Sequence, residues 1–182
     1  MIELLAITDD SAPLQPPLRV VPAGRVGVVV GPAHEGEPDA EALWERESQL
    51  EDLMGERALL PIRYGTRVED EAAAAEAVAP RAEELAAALD RVRGAVEVSV
   101  RAVAREGRDG QDATAVHARL AALAREHARH EGPELLRSAY LVDRAAVDVF
   151  VAAVRELQRE HDDLSILCTG PWPPYSFAEP PR

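Results

Sequence analysis

The side chains with the widest chemical repertoire in this 182-residue chain are its five histidines, His34, His117, His127, His130 and His161. His127 and His130 stand three apart, a spacing that puts both imidazoles on one helical face beside Glu126 and Glu131. Imidazole with carboxylate is a zinc-type ligand chemistry. Two helical histidines are an incomplete set, however, and neither Cys-x-x-Cys nor His-Glu-x-x-His accompanies them. His127 also continues the stripe of Leu120 and Leu123, so it reads as a residue at the edge of a core. Cys168 is the single cysteine and alternates with Leu164 and Ile166. A reactive thiol needs an electropositive, partly exposed setting, and this pattern predicts a buried, inert one. There is no Gly-x-Ser-x-Gly, phosphate loop or dinucleotide fingerprint. Gly107 and Gly110 lack phosphate-loop spacing and a following lysine, so Gly107-Arg108-Asp109-Gly110 reads as a turn. Neighbouring carboxylates such as Glu69-Asp70-Glu71 and Asp162-Asp163 are expected in so acidic a chain. No catalytic, metal or cofactor-binding residue is assigned, and the expectation is a non-enzyme without a cofactor.

Two segments invite a binding role instead. In Leu60-Pro61-Ile62-Arg63-Tyr64-Gly65-Thr66 an extended stretch ends in an Arg, an aromatic and a Gly. This is either a plain strand end with a turn or an exposed Arg63/Tyr64 pair of the kind that anchors interfaces. The second segment is Thr169-Gly170-Pro171-Trp172-Pro173-Pro174-Tyr175-Ser176-Phe177. Its prolines stiffen the backbone toward polyproline II, which presents aromatics at little entropic cost. Trp172 and Tyr175 then either meet a partner or fold back over the core. Arg63, Tyr64, Trp172 and Tyr175 are the candidate protein-binding residues.

These side chains are carried by alternating strand and helix patterns. Strands are predicted at Ile2 to Thr8, Gly24 to Gly31, Ala58 to Gly65 with Pro61 marking an edge or bulge, Val96 to Ala102, Ser138 to Val142 and Leu164 to Cys168. A Pro-rich loop joins the first two strands. A polar loop from Pro32 to Pro38 precedes Asp39, which caps a helix bearing Leu43, Trp44, Leu50, Leu53 and Met54. Further helices are predicted over Glu69 to Val78, from Pro80 to a stop at Gly94, from Ala113 through His127 to Gly132-Pro133, and after Asp143 as its cap, with Val147, Phe150, Val151, Val154 and Leu157. Gly170 to Phe177 is expected to be irregular. Strands and helices intermix throughout, which predicts an α+β fold. The chain divides near Arg93-Gly94 into an N-terminal α+β domain (1–93) and a C-terminal one with the Pro/aromatic tail (94–182).

Composition narrows the function. Hydrophobic residues are 47% and charged residues 29%, as in a folded globular protein, while aromatics are only 4%. All 20 basic residues are Arg, and the net charge is −13. That charge repels nucleic acid and anionic membranes, leaving protein partners. A lone cysteine fits a reducing compartment. The N-terminus has no basic n-region, and no apolar stretch approaches the ~20 residues needed to span a bilayer. A cytoplasmic protein is expected.

The same residues resemble the gas vesicle protein F/L family (GvpF/GvpL). Leu60-Pro61-Ile62-Arg63-Tyr64-Gly65-Thr66 is similar to that family's Leu-Pro-(Val/Leu)-Arg-Phe-Gly-Thr element, with Tyr64 in the Phe position. Gly94 to Arg101 with Glu97, Ala139-Tyr140-Leu141-Val142-Asp143-Arg144 leading to Phe150, and the tail from Thr169 to Phe177 carry the likeness further. It covers about Ile2 to Phe177, with a short segment between the first two strands that makes the N-terminal half look shortened. The resemblance implies a minor or accessory gas vesicle protein that binds the hydrophobic shell protein, with other accessory proteins as further partners, and aids nucleation and assembly. Two other classes stand beside it: a small-molecule-sensing α+β module, and a hydrolase using His127 and His130.

Overall fold

The computed structural model describes residues 1–9, 11–34, 39–105 and 113–178. Two compact units form, one of Met1–Arg93 with the stretch from Pro173, the other of Gly94–Trp172. Sequence patterning places the tail with the second half; the described tail packs with the first unit instead.

The first unit runs β1 (Ile2–Thr8), β2 (Arg19–Ala23), β3 (Val26–Pro32), α1 (Ala40–Glu56), β4 (Leu59–Pro61), β5 (Arg67–Val68), α2 (Glu71–Val78) and α3 (Ala82–Val92). Its antiparallel sheet has the order β2-β3-β1-β4, with β5 also on β1. Consecutive apolar residues suit strands covered on both faces, and Val28, Val29 and Val30 are all fully buried. β2 occupies part of the expected Pro-rich loop. It is an edge strand, where Pro22 removes no ladder bond from the interior of the sheet. β4 stops at Pro61, also on an edge, so the expected strand to Gly65 is cut short.

Asp39 caps α1 as its residue type predicts, accepting from the Ala42 amide at 2.8 Å. Leu50, Leu53 and Met54 face inward, but Leu43 and Trp44 do not: they are 47% and 74% exposed. Trp44 precedes Leu53 by nine residues, about two and a half turns, and so points away from it. The inward line runs back through Arg46 instead.

The second unit runs β6 (Ala95–Ala104), α4 (Ala113–Ala121), β7 (Glu126–Arg129), β8 (Leu136–Asp143), α5 (Val147–Glu160) and β9 (Leu164–Trp172). The order β7-β8-β6-β9, all antiparallel, makes this a β-α-β-β-α-β unit of the ferredoxin-like kind. Val98, Val100 and Ala102 of β6 meet Tyr140 of β8, Val116 and Leu120 of α4, and Phe150 and Leu157 of α5 in one core.

Three expectations change here. The helix predicted through His127 ends at Ala121, and His127 lies on β7 with its side chain exposed. Pairing with β8 overrides the helical propensity of this Ala/Arg/Glu stretch, because the Arg125 and His130 amides donate to the Leu141 and Arg137 carbonyls, each at 2.8 Å. Asp143 makes no side-chain cap; its carboxylate pairs with Arg125, and a 3₁₀ turn leads into α5. The segment from Gly170 is not irregular at its start, since β9 continues to Trp172 through a register shift opposite Val98. A proline is tolerated in such a bulge. Gly170, at φ 121°, is required there: a Cβ would lie 2.8 Å from the Glu97 carbonyl oxygen. The predicted turn at Gly107–Gly110 and the loop residues Glu35–Pro38 lie outside the described residues.

Candidate functional site

Among the described residues of the first unit, two charged ones are buried. Glu3 sits within the apolar run of β1 and is 3% exposed; Arg46 sits on the buried face of α1 and is 7% exposed. Their side chains meet at 3.1 Å. β1 bulges between Leu4 and Ala6, and Arg46 Nη2 donates to the Leu4 carbonyl at 3.0 Å and the Leu5 carbonyl at 2.9 Å. It also donates to Ile62 O at 3.2 Å. Burial lowers the pKa of the guanidinium, opposed chiefly by Glu3. A buried charge is tolerated only when paired and hydrogen-bonded, and this arrangement supplies both conditions.

The segment Leu60–Thr66 wraps this pair. The Ile62 amide donates to Leu5 O at 2.9 Å, and the Leu4 amide to Thr66 O at 2.9 Å. Gly65 turns at φ 78° and gives its amide to Glu3 Oε1 at 3.1 Å. The Tyr64 ring lies 6.0 Å from the Arg46 guanidinium carbon. Arg63 points outward and is exposed. Above these groups opens a cleft of about 220 Å³, lined by Glu3, Arg46, Tyr64, His34, Gln49 and Leu18 among others.

The other candidates lie elsewhere. Trp172 ends β9 in the second unit, half-buried, its indole donating to Thr169 Oγ1 at 3.3 Å. Tyr175 belongs to the first unit, is 41% exposed, and donates its hydroxyl to Glu47 of α1 at 3.1 Å. Pro173, Pro174 and Phe177 around it are buried, and Arg91 donates to Phe177 O at 2.7 Å. The tail is therefore anchored by prolines and Phe177, with Tyr175 facing out.

The histidines gather in a different way from the expected helical pair. His117 Nδ1 lies 2.8 Å from the hydroxyl of fully buried Tyr140, and its ring meets that of His127 edge-on at 4.8 Å. Burial, then His127 and Arg129, lowers the His117 pKa, while burial pushes Tyr140 up to about 12. The two groups share a hydrogen bond whose donor is set by the imidazole tautomer. Burial also raises the Cys168 pKa, so its thiol stays protonated. Among the described residues no group of three or more His, Cys, Asp or Glu is placed to hold a metal ion.

The sequence matches the family described as gas vesicle synthesis protein GvpL/GvpF over residues 10–109 and 102–179. The chain belongs to the GvpL/GvpF family. It is similar to gas vesicle protein F2 of Halobacterium salinarum, at 30% identity over 130 residues, covering 68% of this chain and 60% of that protein. The match to gas vesicle protein F of a Streptomyces species is 38% identical over 82 residues, 43% of this chain and 34% of that one. Its fold is that of the crystal structure of GvpF from Microcystis aeruginosa, with TM-score 0.82 at 17% identity and 98% of each chain covered. The GvpF structure from an Anabaena species gives 0.77 at 19% identity, covering 100% of this chain and 99% of that one. These names are of gas vesicle proteins, and none states an enzymatic activity.

Neither Glu3 nor Arg46 of this GvpL/GvpF member is among the residues that motif and periodicity single out. The signal was present: one carboxylate inside an apolar strand, and one arginine four residues before Leu50 on an apolar helical stripe. Two such exceptions in one domain are each other's natural partners.

Proposed function

We propose that this chain acts in the cytoplasm as a gas vesicle accessory protein that binds the hydrophobic shell protein and supports vesicle nucleation and assembly. Other accessory gas vesicle proteins are further partners. The family match across residues 10–109 and 102–179 is the observation that carries this reading. Arg63, Tyr64, Trp172 and Tyr175 are proposed contact residues, and the division near Arg93–Gly94 is a proposed domain boundary. Augmentation of a sheet edge is a suitable binding route, because an extended partner segment gains main-chain hydrogen bonds there. β9 suits it better than the Pro61-bearing β4, being nine residues long and at a sheet edge, while β4 has three residues, all buried. The sensing alternative has little to favour it: the cleft of about 220 Å³ falls below the ~300–1,000 Å³ usual for small-molecule sites.

Co-expression of the chain with shell protein, followed by pull-down at low and moderate salt, tests the proposal. Association at low salt is expected. No association at either salt removes the shell-binding role.

A further inference from the structure

Helix α1 presents an apolar surface that the fold of its own unit does not use. Trp44 is one of only two tryptophans in a chain with 4% aromatics, yet it is 74% exposed, and Leu43 beside it is 47% exposed. Tyr175 reaches the same helix through Glu47, which lies three residues after Trp44 and four after Leu43, on the adjoining helical surface. Exposed single aliphatics are ordinary. An exposed Trp beside an exposed Leu, next to a tyrosine fixed by a hydrogen bond, is the composition of an interface anchor.

The charges around this surface specify what covers it. α1 carries Glu41, Glu45, Glu47, Glu51, Asp52 and Glu56, and its single basic residue, Arg46, is buried against Glu3. The solvent side of the helix is therefore predominantly acidic, with Arg57 meeting Glu56 at 4.0 Å at its C-terminal end. Glu41–Glu45, Glu47–Glu51 and Asp52–Glu56 are like-charge pairs at four-residue spacing, which destabilise a helix on its own. Burial and the neighbouring Glu51 both raise the Glu47 pKa, against the Tyr175 hydrogen bond that lowers it. Exposed aromatic surface and acid repulsion among Glu41, Glu45, Glu47 and Glu51 both oppose local stability. A cationic amphipathic segment would relieve both at once.

We propose that the Leu43–Trp44 face of α1, with Tyr175, is the docking site for a partner's amphipathic helix carrying Lys or Arg around its apolar side. The proposal goes beyond shell-protein binding, since it fixes a surface and a partner chemistry and holds for whichever protein supplies that segment. Trp44 packs among the partner's apolar residues, while Glu41, Glu45 and Glu51 face its cations.

The test titrates the full chain into a dye-labelled helical peptide with Leu on one face and Lys on the other, read by fluorescence anisotropy. A second peptide with Glu replacing every Lys serves as the charge control. The Leu/Lys peptide is expected to bind, more weakly as salt rises, and the Leu/Glu peptide is not. Trp44→Ala is expected to weaken binding at least about tenfold, equivalent to ~1.4 kcal/mol. Trp44→Phe, which keeps a ring, should retain most of the affinity, and this variant guards against a folding defect in the alanine variant. Val149→Ala removes another apolar residue, 61% exposed on α5, and should change nothing. Equal binding of the two peptides, or equal affinity of Trp44→Ala and the unaltered chain, overturns the proposal. So does an equal loss from Trp44→Ala and Val149→Ala, which would show only general attraction to an acidic chain. Shell-protein pull-down by the Trp44→Ala chain separates the two readings: retained capture leaves the shell-binding role standing whatever the peptide shows.

Discussion

At the scale of single residues, the Glu3–Arg46 pair most clearly links sequence to stability. A charge buried without its partner is costly, so removing one member of such a pair typically costs ~3–5 kcal/mol. Arg46→Met should reduce unfolding free energy by about that much in urea titration, because it strips Glu3 of its cation and three carbonyls of their donor. Glu3→Gln should cost less, since the amide oxygen can still accept from Gly65. The reverse ranking would contradict the bonding described. His117 gives a pH prediction. Its folded pKa lies below the ordinary imidazole value, so the unfolded chain binds the proton more readily. Stability is full above the unfolded pKa of about 6.5 and falls as pH drops from there toward the folded pKa. His117→Gln should flatten that part of the stability–pH curve in equilibrium unfolding; an unchanged slope would assign it to other groups.

At the scale of elements, β9 and the tail turn read differently from their residue types alone. Proline and glycine argue against a strand, yet β9 passes through Gly170 and Pro171 by bulging against β6. Gly170→Ala adds a Cβ against the Glu97 carbonyl at a φ that L-residues rarely adopt, and should cost about 1–3 kcal/mol in thermal or chemical unfolding. An alanine variant as stable as the parent would mean the bulge relaxes freely. The turn at 175–177 divides its aromatics, Phe177 buried and Tyr175 outward. Phe177→Ala should therefore cost ~3–5 kcal/mol, as large-to-small core changes do. Tyr175→Ala should cost no more than the ~0.5–1.5 kcal/mol of one hydrogen bond. Melting curves of the two variants side by side decide it, and a larger loss from Tyr175→Ala would reverse the assignment.

At the scale of the whole molecule, 33 carboxylates face 20 arginines, for a net charge of −13. Such an excess aids solubility and destabilises the compact state by self-repulsion. Screening over the ~8–10 Å Debye length of moderate salt should then raise the melting temperature above its value in dilute buffer. A fall with added salt would show that surface ion pairs such as Arg119 with Glu156 and Glu160 outweigh the repulsion. The same charge biases association toward basic partners, which connects this scale to the surface of α1.

Much of this architecture follows from the sequence alone. Alternation of Val96, Val98 and Val100, the unbroken apolar run of Ile2–Thr8 apart from Glu3, and the Asp39 cap each depend on near neighbours, so local pattern determines them. The α+β class follows from these elements, and the Leu60–Thr66 and Thr169–Phe177 segments carry the family likeness. Tertiary structure decided the rest. β7 forms because β8 supplies backbone partners to a stretch that would otherwise be helical, and without β7 the β-α-β-β-α-β order is invisible. The pairing of Glu3 with Arg46 spans 43 positions, and Tyr175 meets Glu47 across 128. Periodicity encodes which way a side chain faces, but only the folded chain decides which distant group it meets.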